Sequence, residues 1–162
     1  MKSIIVYYSY SGNTKKVTQI LSEFLQQKGQ VDILELKAQD ESDKFFGQAF
    51  RAFRHKKAVI QSLNFDLSTY DFICFGSPVW AFGPAPAINT YLDQCFGLEN
   101  KEVILFTTYG SGTGNQRCLN YMQDLLARKG AQQFSRFSIP QLKADDRDFM
   151  LVKIKTSMRL PP

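Results

Sequence analysis

The stretch YSYSGNT, residues 8–14, decides how this chain is read. It follows the apolar run IIVY and opens a segment in which Val17, Ile20, Leu21, Phe24 and Leu25 recur at i, i+3, i+4, i+7 and i+8. It therefore joins a buried strand to a helix that hides one face. Within it, Ser9, Ser11, Asn13 and Thr14 surround Gly12, with no lysine or arginine among them. Hydroxyls, a side-chain amide and the backbone N–H groups of a helix start, which carries roughly +0.5 of an elementary charge, are together suited to an anion. Gly12 lets the backbone approach that anion closely. The Gly-Lys-Ser/Thr ending of a nucleotide P-loop is missing. Ser11 or Asn13 would equally serve as a plain helix cap.

Working outward, residues 2–8, 31–36, 70–76 and 102–107 read as short, continuously apolar strands of the kind buried on both faces, with a weaker fifth near 133–139. Ile88, Tyr91, Leu92, Cys95 and Phe96 repeat the helical spacing. Phe46, Ala49, Phe50 and Phe53 mark another helix, Leu119, Met122, Leu125 and Leu126 a further one, and a last short helix covers about 146–158. Gly29, Gly97 and Gly130 each stand just past a helical pattern, where a left-handed residue satisfies the last carbonyls. Five strands alternating with five helices predict an α/β fold, a parallel sheet with right-handed crossovers and helices on both faces, in one domain spanning 1–162.

Composition narrows the function. A chain of 162 residues buries about 68–70% of the surface that its unfolded form exposes, enough for one substantial core. Cys74, Cys95 and Cys118 are far apart and form no C-x-x-C pair, so neither a disulfide framework nor a zinc site is supported; reduced, cytoplasmic thiols are expected. The single histidine, His55, lies in the basic run RAFRHKK (51–57) and reads as part of a solvated helix end. With no second histidine, most metal-hydrolase sites cannot be assembled, and no metal is expected. The net charge of +5 is spread along the chain without a nucleic-acid motif, so no nucleic-acid partner is expected. The uncharged stretch from Phe72 to Leu92 is interrupted by Pro78, Pro84 and Pro86, which argues against membrane insertion.

In a parallel sheet every strand-to-helix loop emerges at the carboxyl edge, and ligands bind there, where the strand order reverses. Three such loops are unusual: SYSGNT after the first strand, GSPVWAFGP after the third and TTYGSGTG after the fourth. They should converge. Trp80, the one tryptophan, is expected in the second of these loops, where its ring could stack on a planar ligand or pack under its own loop.

Ser9-Tyr10-Ser11-Gly12-Asn13-Thr14 resembles the flavodoxin phosphate loop, in which hydroxyl residues flank a glycine and hold the FMN phosphate without a basic side chain. GSPVWAFGPAP resembles the flavin-contacting loop of that family, and TTYGSGTG occupies the place of its third FMN loop. The resemblance covers roughly residues 1–140. It implies a flavodoxin-like three-layer sandwich with a five-stranded parallel sheet of order 2-1-3-4-5. It also implies FMN as cofactor, with contacts from Ser9, Tyr10, Ser11, Gly12, Asn13 and Thr14; from Ser77, Pro78, Val79, Trp80, Ala81 and Phe82; and from Thr108, Tyr109, Gly110, Ser111 and Gly112.

Two features depart from that pattern. Ordinary flavodoxins are strongly acidic, with an aromatic and acids in the third loop; this chain is basic and its third loop is glycine-rich, which would leave one flavin face open to a nicotinamide or a quinone. The basic balance should also oppose flavin reduction less than an acidic surface does.

The rivals fit less well. A receiver domain needs acids after the first strand and an aspartate after the third. A dinucleotide fingerprint starting at Gly110 needs glycine where Asn115 stands. A low-molecular-weight phosphatase needs an early cysteine, and none precedes Cys74. Three functions remain: an FMN electron carrier, an FMN-dependent NAD(P)H reductase of a quinone or similar small acceptor, and a module of this fold that no longer uses flavin. The corresponding partners are a redox protein or a small acceptor, with a homodimer left open.

Overall fold

The computed structural model describes residues 1–37, 63–110 and 112–158. The helix expected around Phe46–Phe53, the basic run 51–57 with His55, and Ser111 lie outside the described residues.

Five strands form the sheet: β1 (Lys2–Tyr7), β2 (Gln30–Glu35), β3 (Phe72–Trp80), β5 (Glu102–Tyr109) and β6 (Gln133–Pro140). A two-residue strand, β4 (Gly83–Pro84), pairs only with β3, so the spatial order β2-β1-β3-β5-β6 is the expected 2-1-3-4-5 once β4 is set aside. All neighbours in that path are parallel, and β1 lies inside the sheet, with Ile5 level with Ile33 on one side and Cys74 on the other. The described helices are α1 (Asn13–Gln26), α2 (Pro86–Gln94), α3 (Asn115–Ala127) and α4 (Arg147–Ser157).

The unbroken apolar character of β1, β3 and β5 follows from burial on both faces, because alternate side chains point opposite ways, whereas β2 at the sheet edge is at most half-buried. Ile4, Val6, Ile73, Phe75, Val103 and Leu105 share one core with Ile88, Tyr91 and Leu92 of α2 and Leu119, Met122 and Leu126 of α3. Ile5, Tyr7, Cys74, Ile104 and Phe106 share the other with Val17, Leu21 and Leu25 of α1 and Met150 and Ile154 of α4. Fully burying one such aliphatic side chain contributes about 1.5–3 kcal/mol, so the helical spacing of α1 is what fastens it over β1.

The third strand is longer than expected. Its pairing with β5 runs through Gly76, Ser77 and Pro78, which in sequence resemble a turn. It ends at Trp80, and Ala81 (φ 46°) and Phe82 (φ 69°) turn the chain back so that Trp80 faces Gly83 and Val79 faces Pro84. Both turn residues are left-handed, as a tight two-residue hairpin requires, although neither is the glycine or asparagine that accepts this most easily. The apolar stretch 72–92 is thus strand, turn, short strand and helix. Among the described residues no helix is long and apolar enough to cross a membrane.

Candidate functional site

The three predicted loops meet at the carboxyl edge, around the place where β1 and β3 lie side by side and their following loops diverge. At the start of α1, Gly12 rather than Ser11 or Asn13 is the capping residue, with φ 87° and no side-chain cap. The Ser9 hydroxyl instead accepts from the Lys15 N–H at 3.2 Å, and the Asn13 amide donates to Ser11 Oγ at 3.2 Å. The N–H groups of Asn13 and Thr14 precede the first intrahelical bond and have no acceptor within the helix. A Cβ on Gly12 would meet nothing within 4 Å, so open space lies directly against this loop. The two lysines of the first turn lean elsewhere: Lys15 Nζ lies 3.4 Å from Glu35 and Lys16 Nζ 2.7 Å from Asp145. An anion seated here is met by neutral donors and the helix dipole.

Beside the loop is a cavity of about 590 Å³, in the range of small-ligand sites. Tyr10, Ser11 and Asn13 form its first wall, Pro78, Val79, Trp80 and Ala81 its second, and Thr108, Tyr109 and Gly110 its third. Trp80 is at the end of β3, 7% exposed, with Tyr8 and Tyr10 meeting it edge-on at 5.6 and 5.7 Å between ring centres. It is largely buried, as a ring packed under its own chain would be, and it also lines the cavity. Thr14 does not line the cavity; its hydroxyl is buried and lies 2.9 Å from that of Thr108.

Other expected contacts are used by the fold. Ser77 is fully buried, accepts from the Ala85 N–H and donates to the Pro78 carbonyl, both at 2.9 Å, and so braces the hairpin. Phe82 lies outside the cavity wall, packed against the start of α3: a Cβ on Gly114 would come within 2.5 Å of its ring. Arg117 lies over the Phe82 ring at 6.0 Å. Gly112 has open space where a side chain would be.

One wall residue was not anticipated. Gln141, the first residue of a short 3-10 turn (Gln141–Lys143) after β6, also lines the cavity. The signal that could have found it is its place just past the carboxyl end of the fifth long strand. The three cysteines are buried, and burial pushes Cys95 and Cys118 up to about 12 and raises Cys74 as well, so none is a ready nucleophile.

A parallel sheet with an anion-ready helix start at its switch point, next to an aromatic-walled cavity, defines the flavodoxin-like class of nucleotide-binding folds. The chain belongs to the NADPH-dependent FMN reductase family, whose profile matches residues 1–142. Among solved structures it is similar to a flavoprotein in complex with FMN from Lactobacillus acidophilus NCFM, at 25% identity and TM-score 0.63 over 91% of this chain and 98% of that one. It shares the fold of oxidised flavodoxin 1 from Bacillus cereus, at 13% identity and TM-score 0.61 over 98% and 99% of the two chains. It also shares that of an apo NADH:FMN oxidoreductase, at 14% identity and TM-score 0.60 over 99% and 92%. No significant match was found among curated proteins.

Proposed function

We propose that this chain binds FMN non-covalently at the carboxyl edge of the sheet and acts as an NAD(P)H-dependent reductase of a small acceptor such as a quinone. The carrying observation is the open space at Gly12, at a helix start whose first N–H groups have no acceptor within the helix, adjoining the cavity of about 590 Å³. The residues fit the cofactor: the SYSGNT loop for its phosphate, and Tyr10, Val79 and Trp80 for its planar ring. Bound FMN supplies a two-electron acceptor for hydride. The chain's part is to hold the phosphate with neutral donors, cover the ring with aromatic and apolar side chains, and leave one approach uncovered along the glycine-rich third loop.

Family membership and the open space beside Gly112 support a reductase. A second reading, an electron carrier that docks on another protein, is supported by Tyr10 and Phe82, both 44% exposed near the cavity mouth. The three free, buried thiols support a reducing compartment such as the cytoplasm.

The visible spectrum of the purified protein, taken before and after anaerobic addition of NADPH, tests these readings. Flavin absorbance that NADPH bleaches within seconds is the expected result. Bleaching only in the presence of a separate reductase would favour the carrier. A colourless protein that takes up no added FMN would overturn both.

A further inference from the structure

The cavity has a fourth wall that none of the three loops supplies. In the β5–β6 ladder, Tyr109 is level with Pro140, so the residues that follow, Gly110 and Gln141, leave the sheet side by side. The Gln141 side chain lines the cavity and folds across Gly110, where a Cβ would come within 3.0 Å of its amide nitrogen. Any larger residue at 110 would push that amide away. The Gln141 amide has no hydrogen-bond partner among the described residues, although it carries two donors and an acceptor on one planar group. Of the remaining cavity residues, Pro78, Val79, Trp80 and Ala81 are apolar or aromatic, Tyr109 is aromatic, the Thr108 hydroxyl is engaged with Thr14, and Tyr10, Ser11 and Asn13 belong to the first loop at the other side of the cavity.

We propose that Gln141 is a specificity-determining residue of the flavin site, its side-chain amide pairing with the imide edge of the isoalloxazine. The inference rests on the FMN reading above and deepens it. An imide edge presents an N–H between two carbonyls, and a primary amide can accept from that N–H while donating to a neighbouring carbonyl. The apolar second wall suits the ring's faces and benzenoid end, which leaves the polar corner formed by Gly110 and Gln141 for the imide edge.

Titration of flavin emission with wild type and Gln141→Ala tests the assignment. Gln141 is exposed, so its truncation leaves the core intact. Loss of one neutral hydrogen bond should weaken FMN binding roughly 2- to 12-fold, and loss of two roughly 5- to 160-fold. Riboflavin should lose affinity by the same factor, because the contact is to the ring. FMN methylated at the imide nitrogen should bind wild type and variant alike. Equal FMN affinity for wild type and variant would overturn the assignment, as would a loss confined to FMN and absent with riboflavin. If wild type itself takes up no FMN, the flavin reading falls first, which the wild-type titration alone reveals.

Discussion

Thr14 Oγ1 lies 2.9 Å from Thr108 Oγ1 in the protein interior, so a single hydroxyl–hydroxyl hydrogen bond ties the first loop of the carboxyl edge to the third. One of the two protons is held in that bond and the other remains to be donated. Thr14→Val strands the buried Thr108 hydroxyl, with an expected loss of about 1–3 kcal/mol. The double variant Thr14→Val/Thr108→Val should lose little more than either single one, because the second change deletes a group already unpaired. Urea unfolding of the three variants checks this; fully additive losses would mean that the two hydroxyls do not depend on each other.

Gly12→Ala separates backbone strain from ligand space. Its φ of 87° is left-handed, which costs a residue with a Cβ about 1–2 kcal/mol, and the added methyl meets no protein atom. Thermal unfolding should therefore show a modest loss. FMN affinity should fall by about tenfold or more, since the methyl enters the space assigned to the phosphate and at least one charge-assisted hydrogen bond is lost. Riboflavin affinity should not change. An equal loss for both flavins would place the phosphate elsewhere.

Trp80 is the chain's one tryptophan, so its emission reports on a single place. Held edge-on by Tyr8 and Tyr10 and lining the cavity, it should emit as a buried indole and be strongly quenched when FMN is added. Trp80→Ala removes a large buried ring and should cost about 3–5 kcal/mol, whereas Trp80→Phe keeps most of the packing. Emission unaltered by saturating FMN would leave Trp80 a packing residue alone.

Asp146 caps α4, accepting from the Phe149 N–H at 3.0 Å, with Lys143 Nζ 3.0 Å away. The backbone hydrogen bond first, and then Lys143, hold its carboxyl below the ordinary value of 3.8. A depressed value means that the folded state prefers the ionised form, so the cap's stabilisation is present above the ordinary value and is lost as pH falls through the lowered one. Asp146→Ala should lower Tm by about 2–4 °C at neutral pH. That difference should close in strong acid. A Tm gap independent of pH would show that the carboxylate's charge is not involved.

Much of this site could be read from residue types alone. The strands β1 and β5 declare themselves because double burial makes them continuously apolar, and the SYSGNT loop because small polar residues around a glycine at a helix start have few other uses. The end of β3 was hidden by Gly76, Ser77 and Pro78, which signal a turn locally but are held in the ladder by β5. The alternative of a plain helix cap at Ser11 or Asn13 fails for a related reason: both have the right chemistry, yet Gly12 takes the left-handed position and Ser9, two residues before Ser11, reaches the Lys15 N–H. Gln141 could not be found by type. Its place at the cavity follows only from the register that sets Pro140 beside Tyr109, and register is a property of paired strands, not of one segment.

The inner position of β1 also bears on how the chain is made. The strand leaves the ribosome with both of its edges bare, and although β2 follows soon, β3 begins only at Phe72. At 5–20 residues per second the gap between Tyr7 and Phe72 lasts about 3–13 s. Throughout that interval the segment IIVYY, apolar and free of charge, offers one unpaired backbone edge to any other nascent chain. Among the described elements that precede β3, α1 shelters one face of it, so synthesis at high density should favour clumping over folding until the third strand arrives.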